Sequence, residues 1–266
     1  MKRAAGAALL GVGAGFLGGL FGVGGGIIMV PGMVLLFAVA QSRAHATSVT
    51  AIVASSTAAM VPMALDGRVH WGAAGLILTG SAVGAFGGAR LVSHLSDLWL
   101  ARAFLVLQIA AAVRMLVPGG EGADGGTAAS IELGVSAIGL VAIGLGAGIL
   151  AALLGIGGGI VFVPAMVTLY AFPQHVAQAT SLAAMVPTMV VAAATHARAK
   201  RVDWELAVTL GAGGLLGGVF GALTALEIAA PTLRRLFAVL LVVVAVRMVF
   251  ETRRRSRDAA PAGASG

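Results

Sequence analysis

Two stretches of this chain repeat a pattern suited to holding an anion. Residues 22–31 read GVGGGIIMVP and residues 155–164 read GIGGGIVFVP, 133 positions apart. Each sets three adjacent glycines, Gly24, Gly25 and Gly26 or Gly157, Gly158 and Gly159, inside an otherwise apolar run. Glycine makes a helix easier to leave, by about 1 kcal/mol per residue relative to alanine. A proline five residues on removes one more backbone donor. Where a helix stops and restarts, N–H groups lose their carbonyl partners, and the restarting N-terminus carries roughly half a positive charge. Inside a bilayer those groups need a partner, and a dissolved anion is a good one. Two other uses of glycine runs fail here. A dinucleotide fingerprint needs a strand before it and an acidic residue about 20 positions after it, and a phosphate loop needs Gly-Lys-Ser or Gly-Lys-Thr. Neither stretch has these.

A second motif also occurs twice, as Ala44-His45-Ala46-Thr47-Ser48 and Ala177-Gln178-Ala179-Thr180-Ser181. Thr47, Ser48, Thr180 and Ser181 either cap the helix that follows or present hydroxyls to a ligand, and the residues alone leave both open. His45 and Gln178 add a donor at the same place in each half. An unperturbed histidine titrates near neutral pH, although a lone one is more often structural. A third pair, Arg68-Val69-His70-Trp71 and Arg201-Val202-Asp203-Trp204, precedes an apolar span; Asp203 suits a helix N-terminus and tryptophan the membrane interface. No HExxH helix or GxSxG elbow occurs, so the expectation is a protein that is not an enzyme and takes no cofactor or metal. There are no cysteines for disulfides or thiolate sites. All ten acidic residues fall near expected element ends or loops, so no carboxylate stands out as a mid-membrane proton or sodium site.

What must position these motifs follows from composition. Of 266 residues 59% are apolar and only 10% charged, where a soluble domain carries roughly 25% charged residues. Mean hydropathy is +1.02, and apolar runs near 20 residues, the length that crosses a bilayer as a helix, recur along the chain. The fold class is an all-α polytopic membrane protein. Over residues 13–71, 28 of 59 positions are identical to 146–204 without a gap. The chain is therefore a duplication, as is common in secondary transporters. The first repeat spans 1–117, with segments near 7–21, 26–40, 46–65, 72–92 and 98–117. A linker occupies 118–130. The second repeat spans 131–250, with segments near 131–153, 157–172, 178–196, 205–226 and 233–250. Each repeat thus has four to five membrane segments, one of them broken by glycines or re-entrant. Gly80, Gly84 and Gly88, like Gly213, Gly217 and Gly221, sit at the four-residue spacing of close helix packing.

The net charge of +7 gathers around Lys2 and Arg3, the loop 198–201 and the run 253–257. Flanking apolar spans, these clusters orient the chain rather than bind nucleic acid. They place both termini in the cytoplasm and the linker, which holds Glu121 and Asp124 and no basic residue, outside. Each repeat then crosses an odd number of times, so the two are inverted. Arg234 and Arg235 would fall outside, against this trend. The basic start before a long apolar run looks like a signal peptide, but that run exceeds the usual length of about 7–15 residues and has a counterpart in the second half. Residues 251–266, basic and then small and polar, are expected to be a disordered cytoplasmic tail.

The double pattern GxGGGxxxVP, AxATS and the Trp after a basic loop resembles the TauE/SafE family of membrane transporters over residues 7–250. His70 stands where that pattern expects aspartate. The resemblance implies a bacterial inner-membrane permease exporting a small sulfur-containing anion, sulfite or an organosulfonate, by alternating access. It also implies a path lined by Gly24–Gly26, Gly157–Gly159, Thr47, Ser48, Thr180 and Ser181. The expected partners are the small anion and the lipid bilayer, without nucleic acid; a homodimer is compatible with this reading. Two alternatives stay open: transport of another solute or a metal ion, and a non-transporting membrane partner of a redox enzyme.

Overall fold

The computed structural model describes residues 2–91, 97–116, 136–154 and 158–258. The regular elements among them are helices: α1 (Lys2–Phe21), α2 (Gly26–Phe37), α3 (Gln41–Leu65), α4 (Trp71–Leu91), α5 (Asp97–Leu116), α6 (Ser136–Leu154), α7 (Gly159–Leu169), α8 (Gln174–Arg198), α9 (Trp204–Glu227) and α10 (Ala230–Asp258). Helices α2 to α5 begin 133 residues before α7 to α10, so the duplication read in the sequence is also one of helix order. It extends to backbone conformation. Ala38 and Ala171 are left-handed at equivalent helix ends, and so are Gly67 and Lys200.

Some expectations need correction. Helix α10 continues through Asp258, so residues 251–258 are helical where a disordered tail was expected; arginine is a good helix former and favours the negative end of a helix dipole. The linker 118–130 and residues 259–266 lie outside the described residues, as does Gly157. Helices α3 and α8 start at Gln41 and Gln174, so Thr47 and Thr180 sit nearly two turns inside and cap neither helix. Pro31 and Pro164 lie within α2 and α7 and end neither. In the first repeat the break falls at the glycines, Gly22, Gly24 and Gly25.

Between α1 and α2 the chain turns through Gly22, Gly24 and Gly25, with φ of 71, 77 and 88°. That left-handed region costs an L side chain about 1–2 kcal/mol. After the turn α2 runs back along α1: Gly25 lies on Ala14, Gly32 on Leu10 and Phe37 beside Gly6. The two helices form a hairpin whose tip reaches the middle of α3, where Gly24 meets Ile52 and Ser56. With 12 residues, α2 is about 18 Å long, short of a hydrocarbon core of about 30 Å.

The frame around the hairpin is reciprocal. After α3 ends, the His70 amide donates to Thr180 Oγ1 near the start of α8 at 3.0 Å. After α8 ends, the Asp203 amide donates to Thr47 Oγ1 near the start of α3, also at 3.0 Å. Counterpart helices α3 and α8 are therefore antiparallel. Arg234, at the start of α10, donates to the Arg114 carbonyl at the end of α5, which makes that pair antiparallel too. Helices α1 and α9 run parallel along a glycine seam, Gly15 on Gly214 and Gly19 on Gly218; α4 and α6 do the same, Gly80 on Val141 and Gly84 on Leu145. A Cβ at Gly15 would lie 2.6 Å from the Gly214 carbonyl oxygen, so the four-residue glycine spacing serves packing. Gly88 falls outside the residues whose packing is described. Four described helices, within α1, α3, α8 and α9, are long and apolar enough to cross a membrane. Large apolar side chains such as Leu35, Leu65 and Ile138 point outward, and Trp71 and Trp204 are exposed at the starts of α4 and α9, as interface aromatics are.

Candidate functional site

The two glycine runs meet. A Cβ on Gly159, the first residue of α7, would lie 2.7 Å from both the Gly22 carbonyl oxygen and Val23 Cα. Met185 of α8 touches this junction, near both Gly24 and Gly159. The first-turn pattern is the same on both sides. Ile28 and Met29 donate to the Gly25 carbonyl, and Val161 and Phe162 donate to the Gly158 carbonyl. Gly25 and Gly158 are the N-cap residues and have no side chain to cap with. At α2 this leaves the amides of Gly26 and Ile27 without an acceptor among the described residues.

Side chains from α3 and α8 line the tip of the first hairpin. Ser181 Oγ donates to the Gly22 carbonyl at 2.9 Å, and Ser55 Oγ donates to the Gly24 carbonyl at 3.0 Å. Gly22 packs on Gln178, and Gly24 on Ser56. Gln178, Ser48 and Ser56 are all fully buried. Among the described residues neither polar atom of the Gln178 amide has a hydrogen-bond partner, nor does the hydroxyl of Ser48 or Ser56. Leaving a buried polar group unpaired costs about 1–3 kcal/mol, and such groups call for an explanation, often a missing water or ion.

The predicted set therefore divides. Gly24, Gly159, Gln178 and Ser181 gather at the junction, and Gly25, Gly26 and Gly158 adjoin them along the chain. Ser48 is buried and unpaired on α3. Thr47 and Thr180 instead bond across the repeats to the Asp203 and His70 amides. His45 is half-buried and partnered. His70 and Asp203, read as structural, cap α4 and α9 in the same way. His70 Nδ1 accepts from the Ala73 amide at 3.1 Å, and Asp203 Oδ1 accepts from the Leu206 amide at 3.2 Å. Histidine can replace aspartate here because its neutral ring also offers an acceptor.

Sequence reasoning missed Ser55 and Ser56, although Ser55-Ser56-Thr57 is a polar triplet in mid-helix. It also missed Gln108, buried in mid-α5 with both amide atoms unpartnered among the described residues, where the counterpart in α10 is Leu241. Gln108 lies outside the repeated motifs, so repetition could not reveal it.

A family model described as sulfite exporter TauE/SafE matches residues 140–265, most of the second repeat and the residues after it. The first repeat carries the same motifs at the constant offset. Over that span the chain is similar to the TauE/SafE family. Relatives align with nearly the whole of it. The probable membrane transporter protein YunE of Bacillus subtilis (strain 168) is 28% identical over 91% of this chain and 96% of its own length. A probable membrane transporter protein of Xylella fastidiosa (strain 9a5c) is 28% identical over 90% and 92%. No solved structure matches significantly. These similarities and the apolar, outward-facing helices support a multi-pass membrane transporter.

Proposed function

We propose that this transporter is a secondary permease that carries a small anion, sulfite or an organosulfonate, out of the cell through the glycine junction. One observation carries the reading: Gln178, Ser48 and Ser56 are buried with unused hydrogen-bonding atoms, two of them directly against a glycine turn that leaves helix amides free. Those groups suit an oxyanion, and the positive end of α2 adds to them. The family description supplies the sulfur oxyanion.

The antiparallel course of α3 against α8 and of α5 against α10 supports two inverted repeats, with the α1–α2 and α6–α7 hairpins as re-entrant elements entering from opposite faces. Charge supports the orientation. Following the helix directions, Lys2, Arg3, Arg43, Arg90, Arg102, the cluster 198–201, Arg247 and the run 253–257 share one face. The opposite face has Arg68, Arg114, Arg234 and Arg235. By the positive-inside rule the first face is cytoplasmic, with both termini. Arg234 remains on the poorer face, but its guanidinium caps the carbonyl end of α5. In a cell that is negative inside, the potential favours anion export by about 2.3 kcal/mol per charge per 100 mV.

The test is flux. Purified protein is placed in liposomes loaded with sulfite, an inside-negative potential is imposed, and efflux is compared with that of chloride and taurine. Sulfite-selective efflux, lost in Gln178→Leu, is the expected outcome. Efflux unchanged in that variant would move the path away from the junction.

A further inference from the structure

Resting on the anion-permease reading, we infer that the junction selects singly charged oxyanions and rejects doubly charged ones of the same size. Among the described side chains the buried polar residues are Thr47, Ser48, Ser55, Ser56, Ser81, Gln108, Gln174, His175, Gln178, Thr180 and Ser181. Hydroxyls and amides make up this set apart from one imidazole. No lysine, arginine, aspartate or glutamate is buried among the described side chains. The imidazole is committed elsewhere: His175 Nε2 lies 2.9 Å from the Ala225 carbonyl oxygen and 3.1 Å from that of Ile228, at the end of α9.

Positive potential at the junction therefore comes from helix ends. Helices α2 and α7 each begin at the junction without a side-chain cap, and each contributes about half a charge. Together they balance roughly one negative charge. Taking an ion out of water costs an energy that grows as the square of its charge, whereas its attraction to fixed dipoles grows only in proportion. Doubling the charge quadruples the penalty and doubles the compensation. A site with a buried guanidinium could meet that difference. Dipoles adding up to about one charge cannot.

The donors left over point the same way. Ser55 and Ser181 donate to the Gly24 and Gly22 carbonyls, which leaves at the junction the Gln178 amide and the Ser56 hydroxyl. These are few, neutral donors, enough for one singly charged head group. Gln178 Oε1 also lacks a donor. A protonated oxyanion supplies one; a dianion does not, and neither does methanesulfonate, so the comparison below reads the charge alone.

The test compares methanesulfonate and sulfate, sulfur oxyanions of similar size that differ in charge. Exchange is measured in proteoliposomes with the membrane potential clamped at zero, so that the field favours neither. The pH is held at 8, where methanesulfonate carries one negative charge and sulfate two. Methanesulfonate is expected to exchange faster than sulfate by about tenfold or more, the factor that 1.4 kcal/mol of differential interaction produces. Equal rates would overturn the selectivity and leave the permease standing. If methanesulfonate, sulfite and chloride all fail to exchange, from protein that melts cooperatively, the permease reading fails and this inference with it.

Discussion

At the scale of single residues, stability and function pull in opposite directions at the junction. Ser56 and Gln178 are buried with unused polar atoms, a destabilising arrangement unless a ligand completes it. Replacing such a group by an apolar one of similar shape is neutral or stabilising. Ser56→Ala and Gln178→Leu are therefore expected to leave the unfolding temperature in detergent unchanged or raised, by up to about 1 kcal/mol in stability. Anion flux in the same variants should fall about tenfold or more, the loss of one charge-assisted hydrogen bond. A variant that loses flux and stability together would mark these residues as packing groups. Gly25 is a poor probe by comparison: with φ of 88° and the Ala14 carbonyl where a Cβ would sit, any side chain there damages the fold. The glycine runs were legible because backbone chemistry and repetition both marked them. Ser56 was not, since a serine inside a membrane helix is as readily explained by a bond to its own helix.

At the scale of elements, helices are held by seams of small residues and by a few hydrogen bonds. Gly13 and Gly15 share α1 but differ in surroundings. A Cβ at Gly13 meets nothing within 4 Å, whereas one at Gly15 lies 2.6 Å from the Gly214 carbonyl oxygen. Gly13→Leu should fold and elute as a single species. Gly15→Leu forces α1 and α9 apart, at a cost of about 1–3 kcal/mol or more, and should lower the unfolding temperature or aggregate. Equal behaviour of the two would mean that the seam is not there. The cross-repeat bonds of Thr47 and Thr180 predict a smaller, paired effect. Thr47→Val and Thr180→Val should each cost about 0.6 kcal/mol, the average for an interhelical bond in a membrane protein, read as equal shifts in unfolding midpoint. The helix order was legible from apolar runs and the duplication. The role of the threonines was not, because Thr47 and Asp203 are 156 residues apart and only the antiparallel pairing of α3 and α8 brings them together.

At the scale of the whole molecule, topology is the claim on which the transport mechanism depends. Alternating access around a central site needs two halves that present the same machinery to opposite faces. The loop after α3 and the loop after α8 are equivalent in sequence, Asp66 matching Ala199 at the offset of 133. If the repeats were parallel, both loops would lie on one side of the membrane. The pairing of α3 with α8 puts the loops at opposite ends of the molecule. The chain has no cysteine, so single cysteines there report cleanly. In intact cells a membrane-impermeant thiol reagent should label Asp66→Cys and spare Ala199→Cys until the membrane is permeabilised. Labelling of both from outside would refute inversion, and labelling of Ala199→Cys alone would keep the inversion but reverse the orientation. Orientation decides which hairpin faces the cytoplasm. With the basic face inside, the α1–α2 hairpin enters from the cytoplasm with its glycine turn reaching past the middle of α3, and the membrane potential pushes a bound anion from that side toward the other. A reversed orientation would turn the α6–α7 hairpin to the cytoplasm instead, while the potential would still favour outward movement of the anion, because its sign is set by the cell and not by the chain.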